Sequence, residues 1–385
     1  MAPGHFASWT PAPVAVTRCT AYEQAQLAPA VQRAVERLGG WPAFVQPGQS
    51  ALIKPNLLTD RPPEQAVTTH PELVRTVIRA LKAIGARPFV ADSPNSVAKL
   101  ERVWDRTGFA ALCQEEDVAL VNLEKAGAVR MRHGEFSFSI AKPILEADVV
   151  VNMPKVKTHV LTILTAGIKN MYGAVPGYEK TRLHKQYPRA RQFGKLLLEI
   201  HNTVRPALTL ADGILGMEGD GPSGGRPAAL GFLAASADTS ALDLVLCRIL
   251  GIPPRSVPTL RAALANGSLP STSPPRIDDP GAPALEHPIR YPSTFRGQMI
   301  PAPLVKLVGR ALWIRPEFLD ACVRCGKCVE ACPVQALQLT ENRPHPQLLK
   351  ARCIGCCCCH EVCPHNAIQM HPSPLLKLAR RSRPF

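Results

Sequence analysis

Ten of the chain's 13 cysteines fall between Cys322 and Cys363, and eight of those repeat one spacing twice. Cys322-x2-Cys325-x2-Cys328-x3-Cys332-Pro333 is followed by Cys353-x2-Cys356-x2-Cys359-x3-Cys363-Pro364, and each run is trailed by an alanine and an apolar residue, Ala336-Leu337 and Ala367-Ile368. Three thiolates at two-residue intervals wrap a tight loop around one face of a cubane, so the fourth ligand comes from elsewhere. In the two-cluster pattern the fourth cysteine of each run crosses to the other cluster. The spacing therefore predicts one [4Fe–4S] cluster on Cys322, Cys325, Cys328 and Cys363, and a second on Cys353, Cys356, Cys359 and Cys332. Crossed ligation fastens together the halves of a segment too short to build much apolar core. Zinc sites more often show two CxxC pairs held apart by longer spacers. Cys357 and Cys358 are surplus thiols inside the second run, read as bystanders or else as spare or redox-active groups. Cys19, Cys113 and Cys247 lie apart and read as core residues.

A cysteine density of this kind suits a reducing compartment. The first residues, MAPGHFASWTPAPVAV, hold no basic segment followed by an apolar one, and no apolar run reaches the roughly 18 residues that cross a bilayer. The expectation is a cytoplasmic protein without a transmembrane segment. A formal charge of +15 fits an anionic substrate, an acidic protein partner or an anionic surface, or simply an arginine-rich genome. Aromatic residues make up only 5% and no RNA-binding signature is present, which argues against nucleic acid.

With 385 residues the chain has room for one large α/β domain and a small accessory one. Short apolar runs at 51–53, 88–91, 118–121, 149–151, 208–211 and 230–234 read as strands. Helical patterns fill 24–38, 70–84, 99–113, 190–204 and 240–250. Strands separated by amphipathic helices imply a mostly parallel sheet with helices on both faces. Residues 253–303 carry 12 prolines in 51 positions and read as loops or a connector closing a domain over 1–300. Residues 301–314 look helical, 315–372 form the cysteine module, and 373–385 are a basic tail.

Several strand candidates finish in polar residues. Lys54 and Asn56 follow the first, Asp92 the second, Asn152, Lys155, Lys157 and His159 the third, and Asp212 a later one. Ligands bind beyond the carboxyl ends of parallel strands, so these side chains are expected to converge on one crevice. Lys54, Lys155, Lys157 and Lys169 would make it cationic, and Asn56, Asn152 and Asn170 supply amides; Asp92 and Asp212 could hold a metal, position a lysine or act as acid–base groups, His159 is a proton-transfer candidate, and Lys155, His159, Asp92 and Asp212 are the catalytic candidates. His184 and His201 are further proton-transfer candidates. Residues 216–225, GMEGDGPSGG, form a glycine-rich loop with two carboxylates, Glu218 and Asp220. It lacks the spacing of a nucleotide loop and suggests a lid, a close approach to a ligand, or a plain surface turn.

Residues 315–372 resemble the two-cluster bacterial-type ferredoxin domain, which implies a small βαββαβ-like α+β fold carrying low-potential one-electron centres. The blocks IKPNLL (53–58), THPELVRTVIRALKAIGARPFVADSPN (69–95), ADVVVNMPKVKTH (147–159), GIKNMYGAVPG (167–177) and ADGILGMEGDGPSGG (211–225) resemble the DUF362 family, a group named for its unknown function and often fused to such a domain. The resemblance implies that Lys54, Asn56, Asp92, Asn152, Lys155, Lys157, His159, Lys169, Asn170, Asp212 and Glu218 are the residues to watch. It supplies no reaction. The expected function is an oxidoreductase passing single electrons between the clusters and an anionic substrate, or a further organic cofactor, with a redox partner protein. The alternatives are a non-enzymatic electron carrier or adaptor, and a non-redox enzyme in which the clusters are structural.

Overall fold

The structure, a computed structural model, describes residues 12–95, 97–269, 276–279, 286–295 and 312–374. The large domain's strands are Val14–Arg18 (β1), Ser50–Lys54 (β2), Arg87–Asp92 (β3), Leu120–Asn122 (β4), Ala128–His133 (β5), Phe136–Ala141 (β6), Val149–Asn152 (β7), Lys155–His159 (β8), Ile163–Thr165 (β9), Leu208–Glu218 (β10), Arg226–Ser236 (β11) and Arg276–Asp278 (β12). Ten of them make one sheet in the order β12-β1-β11-β10-β7-β2-β3-β4, with β8 paired to β10 and β9 to β8. Most pairs are parallel; β1–β11, β10–β11 and β8–β9 are antiparallel. The hairpin β5–β6 stands apart.

Alternation along the strands decides what covers the sheet. In β2, Ala51 and Ile53 enter one core and Leu52 enters another on the opposite face; in β7, Val149 and Val151 part from Val150 in the same way. Strands that are apolar on both sides need cover on both sides. Helices Gln24–Glu36 and Pro71–Ala83 supply it on one face, and Ala190–Val204 and Thr239–Ile249 on the other. Pro71–Ala83 forms where expected: Pro71 opens it, Nδ1 of His70 accepts from the Glu72 amide, and its buried residues share one face.

Several expectations shift. The helix foreseen over 99–113 is two, Leu100–Arg106 and Phe109–Glu115, broken at Gly108 with φ +77°. Val118–Val121 gives way to the strand Leu120–Asn122. The proline-rich stretch is not all loop. Pro258–Ala265 is a helix packed on Ala190–Val204, and β12 adds an edge strand beside β1. The helix expected over 301–314 lies outside the described residues up to 311, and Ile314 opens a strand. The basic tail from 375 also lies outside them.

The cysteine module runs strand–helix–strand–strand–helix–strand: Ile314–Phe318 (β13), helix Lys327–Glu330, Leu337–Gln338 (β14), Gln347–Leu348 (β15), helix Cys358–Glu361 and Ile368–Pro372 (β16), with β13 antiparallel to β16 and β14 to β15. Its internal repeat extends to the backbone. Left-handed φ values recur at matched positions, Arg324 and Gly355, Gly326 and Cys357, Gln335 and Asn366.

The module sits on the glycine-rich segment. Gly216 to Glu218 belong to β10, so only 219–225 remain as a turn. A Cβ on Gly221 would lie 2.1 Å from the Thr158 carbonyl of β8, and one on Gly224 would lie 2.8 Å from the His360 ring. Ser223 Oγ donates to the Glu361 carbonyl at 2.9 Å, and His360 Nε2 faces the Asp220 carbonyl at 2.9 Å. Close approach is what the glycines permit, and it is made to protein on both sides.

Candidate functional site

The cysteines surround two cavities. Cys322, Cys325, Cys328 and Cys363 line one of about 320 Å³; Cys332, Cys353, Cys356 and Cys359 line the other, of about 340 Å³. Among the described residues no three cysteine, histidine or carboxylate side chains converge on a point that would hold a single ion. Four soft sulfurs spread round each cavity fit a multi-iron cluster, whose atoms fill the space between them. The amides of Ala336 and Ala367 donate to Sγ of Cys332 and Cys363 at 3.1 and 3.3 Å, which explains the alanine trailing each run: a small residue lets its N–H reach the sulfur. Cys325 is exposed, while Cys356, Cys359 and Cys363 are buried.

A third cavity, a cleft of about 660 Å³ open to solvent, lies between the module and the ends of β2 and β3. From the large domain it is lined by Asn56, Asp92, Ser93, Lys169, Asn170 and Lys180, and from the module by Cys358, Glu361 and Val362. Cys358 also lines the second cysteine cavity. Polar atoms here lack partners. Ser93 Oγ, Thr165 Oγ1, Asn170 Oδ1, Asn56 Oδ1 and His184 Nδ1 are all buried without a hydrogen bond to protein, a costly arrangement that ordered water or a bound ligand relieves.

The expected residues divide. Lys54 and Asn152 end neighbouring strands in register, and Asp92 ends β3. Lys54 Nζ donates to Asp92 Oδ1 at 2.7 Å, and the same carboxylate accepts the amides of Leu57 at 2.6 Å and Ser93 at 2.9 Å. A Cβ on Gly173 would strike this pair, 2.0 Å from Asp92 Oδ1. Asn152 donates to the Gly167 carbonyl at 3.0 Å and accepts from Asn170 at 2.8 Å. Thus Asn56, Asp92, Lys169 and Asn170 border the cleft, with Lys54 and Asn152 directly behind.

Lys157 and His159 lie on β8, in the wall facing the module. Lys157 Nζ donates to the Val67 carbonyl. His159 Nδ1 accepts from the Leu161 amide at 3.0 Å, so its proton sits on Nε2, which stands 3.2 Å from Glu361 Oε1. Burial, then Lys169 and Lys157, hold this imidazole well below its ordinary pKa and keep it neutral.

Lys155 and Asp212 form a separate buried pair, 2.6 Å apart across β8 and β10. The Tyr22 hydroxyl donates to Asp212 Oδ1 at 2.7 Å, the Lys155 ammonium donates to the Tyr22 oxygen at 3.1 Å, and the His70 amide donates to Asp212 Oδ2 at 2.9 Å. Neither residue lines the cleft. Glu218 is occupied elsewhere, accepting the Arg290 amide at 3.0 Å.

No pattern in the sequence marks Lys180. It lies on the helix Gly177–Gln186, a polar segment without an apolar stripe, and its ammonium donates to the carbonyls of Ser93 and of Pro94, the latter at 2.9 Å. Burial lowers its pKa to about 7, against Asp92, which raises it. His184, one turn on, stacks on Phe193 at 4.4 Å between ring centroids and is held near 3 by burial, then by Lys169 and Lys180. Glu361 was equally illegible: its carboxyl is raised by burial and its role comes only from docking of the module. The pairing of Cys358 with the cleft has the same origin.

Comparison with known proteins bears on both parts of the chain. A domain of unknown function, DUF362, matches residues 51–248, and a 4Fe-4S dicluster domain matches residues 319–370. A protein of Synechocystis sp. named as thylakoid-associated is 37% identical over 251 residues, covering 65% of this chain and 78% of its own length. The lactate racemase apoprotein of Thermoanaerobacterium thermosaccharolyticum superposes with a TM-score of 0.41 at 12% identity, over 61% of this chain and 56% of that one. Among the described residues no helix is long and apolar enough to cross a membrane. The chain belongs to the DUF362 family, and joins that domain to an iron–sulfur module of the 4Fe-4S dicluster type.

Proposed function

We propose that the chain is an iron–sulfur oxidoreductase in which Cys322, Cys325, Cys328 and Cys363 hold one [4Fe–4S] cluster, Cys353, Cys356, Cys359 and Cys332 hold the other, and a small anionic molecule is bound in the adjoining cleft. The observation that carries this reading is Cys358, a single side chain bordering both the second cysteine cavity and the cleft. The clusters would supply one-electron transfer. The chain's own residues bind and orient: Lys169 faces the ligand's charge, Asn56 and Asn170 present amides, and Lys54 fixes Asp92 at the floor. Lys180 and Asp92 are the acid–base groups within reach of a bound molecule, with His159 behind the wall; Lys155 and Asp212 stand off the cleft as a separate buried pair. Exposure of Cys325 at the far cavity favours that end for a redox partner protein.

Anaerobic preparation tests the reading. About eight iron and eight sulfide per chain are expected, with two interacting paramagnetic centres after reduction. Cys353→Ser should remove the centre whose signal responds to small organic acids, and Cys322→Ser the one that does not. Zinc in place of iron, a single cluster, or equal response of both centres would overturn it. A second reading, clusters that only hold the wall formed by Cys358, Glu361 and Val362 for a non-redox reaction, is favoured by that wall itself. Turnover indifferent to cluster oxidation state would decide for it.

A further inference from the structure

Lys169 is half-buried at the cleft. Among the described residues no hydrogen-bond or ion-pair partner meets its ammonium, which lies over the Tyr172 ring at 6.0 Å from the centroid. The Glu361 carboxylate on the module's side of the cleft is the main opposite charge for Lys169 but makes no ion pair with it, so a partly desolvated ammonium is left for an anionic ligand to contact directly.

Asn170, next in the chain, is 2% exposed and its amide has no freedom to flip. Its Nδ2 group donates to Asn152 Oδ1 at 2.8 Å, to the Pro55 carbonyl at 3.2 Å and to the Lys54 carbonyl at 3.3 Å. Asn152 is in turn set by donating to the Gly167 carbonyl at 3.0 Å and to Thr209 Oγ1 at 3.3 Å. Reversing the Asn170 amide would face oxygen with oxygen three times. Its unpartnered Oδ1 is therefore a fixed acceptor.

An acceptor can be satisfied only by a donor. A ligand made of anionic oxygens alone would meet Lys169 well and Asn170 badly. Ser93 Oγ and Thr165 Oγ1, also buried and unpartnered, can donate or accept and so do not discriminate. A metal cation is disfavoured: Asp92 is already paired with Lys54, Glu361 shares the cleft with Lys169 and Lys180, and among the described residues no group of three histidine, cysteine or carboxylate side chains is placed to hold one.

Resting on the reading of this cleft as the substrate site, we infer that its ligand is a small organic anion that also carries a hydroxyl or amino hydrogen close to its charge, the charge meeting Lys169 and the hydrogen meeting Asn170 Oδ1. Discrimination against an analogue lacking that hydrogen is then built in, because the analogue leaves a rigid buried acceptor unpaired.

Titration calorimetry on the anaerobic, cluster-loaded protein tests this without an assay of turnover. The probes are malate and aspartate against succinate, glycolate against acetate, and sulfate. The hydroxy and amino members should bind at least ~10-fold more tightly than their unsubstituted partners, and sulfate should bind more weakly than either. Lys169→Met should weaken all of them while leaving the preference, and Asn170→Leu, which removes the acceptor at similar volume, should erase the preference. Equal affinity within each wild-type pair, or no binding by any probe, overturns the inference, and neither result requires a variant to fold. The outcomes also separate the two claims. Selective binding that leaves both clusters' paramagnetic signals unchanged would sink the redox reading of the cleft while the ligand assignment stands.

Discussion

Lys155 donates to Asp212, to the Leu215 carbonyl at 3.0 Å and to Tyr22, whose ring stacks on His70 at 3.7 Å between centroids. The ammonium and carboxylate are both fully buried, yet each has several hydrogen-bonding neighbours, the condition under which a buried pair is tolerated. Removing one partner leaves the other charged and alone. Asp212→Asn is accordingly expected to cost about 3–5 kcal/mol of stability, seen as a lowered denaturation midpoint of the cluster-loaded protein. The double replacement Lys155→Met with Asp212→Leu should recover most of it. A loss under about 1 kcal/mol for the single variant would show that the pair does not brace β8 against β10. At this scale the sequence was half legible. Polar residues after apolar runs announced that Lys54, Asp92 and Asn152 end strands, because alternation and strand length are local properties; Lys155 instead opens β8 and Asp212 lies within β10. Partners were not announced. Tyr22 and His70 come from elements far away in sequence, and Lys180 from a helix with no apolar periodicity to mark it.

The turn after β10 shows how an element acquires a task that its composition does not state. Glycine-rich sequence records that backbone comes close to something, and the structure supplies both contacts: the Gly221 carbonyl accepts from the Val160 amide at 2.9 Å, and Gly224 lies under His360. Val160 itself joins the module's small apolar core, beside Ile368 and Met370. The turn is therefore a seat for the module and does not line the cleft. Gly221→Ala forces a Cβ against the Thr158 carbonyl, a backbone atom that cannot rotate away, and overpacking of that kind costs about 1–3 kcal/mol. The expected result is a protein with its full iron content but a less protected amide at Val160, read by hydrogen exchange. Unchanged protection there would refute the seating role. β10 runs on past the expected 208–211 for a related reason: Gly213 and Gly216 sit in the strand where Phe232 and Leu230 of β11 occupy the space their side chains would need.

For the molecule as a whole, the two halves are coupled through a wall that neither completes alone. The large domain contributes the ends of β2 and β3; the module contributes Cys358, Glu361 and Val362 from a helix of only four residues, Cys358–Glu361, whose flanking cysteines line the cavities. Few apolar residues support that helix, so metal ligation must contribute much of its stability, as in other small metal-dependent folds. Arg61, which donates to the Cys363 carbonyl at 3.2 Å and to Asn366 Oδ1 at 2.9 Å, and Ser223, which donates to the Glu361 carbonyl, carry the order across to the large domain. The main sheet has no such dependence, since both its faces are closed by its own helices. Removing the clusters with a chelator under reducing conditions should therefore produce a graded response. Amides of 358–363 should exchange rapidly, Val160 at the seat should lose part of its protection, and β2, β3 and β7 should keep theirs. Binding of small organic acids should fall in parallel, because one side of the cleft has melted while Lys169 and Asn170 remain in place. If binding survived chelation at full strength while 358–363 exchanged freely, the module would not form the cleft's wall in solution, and the proximity of Cys358 to a bound ligand would lose its meaning.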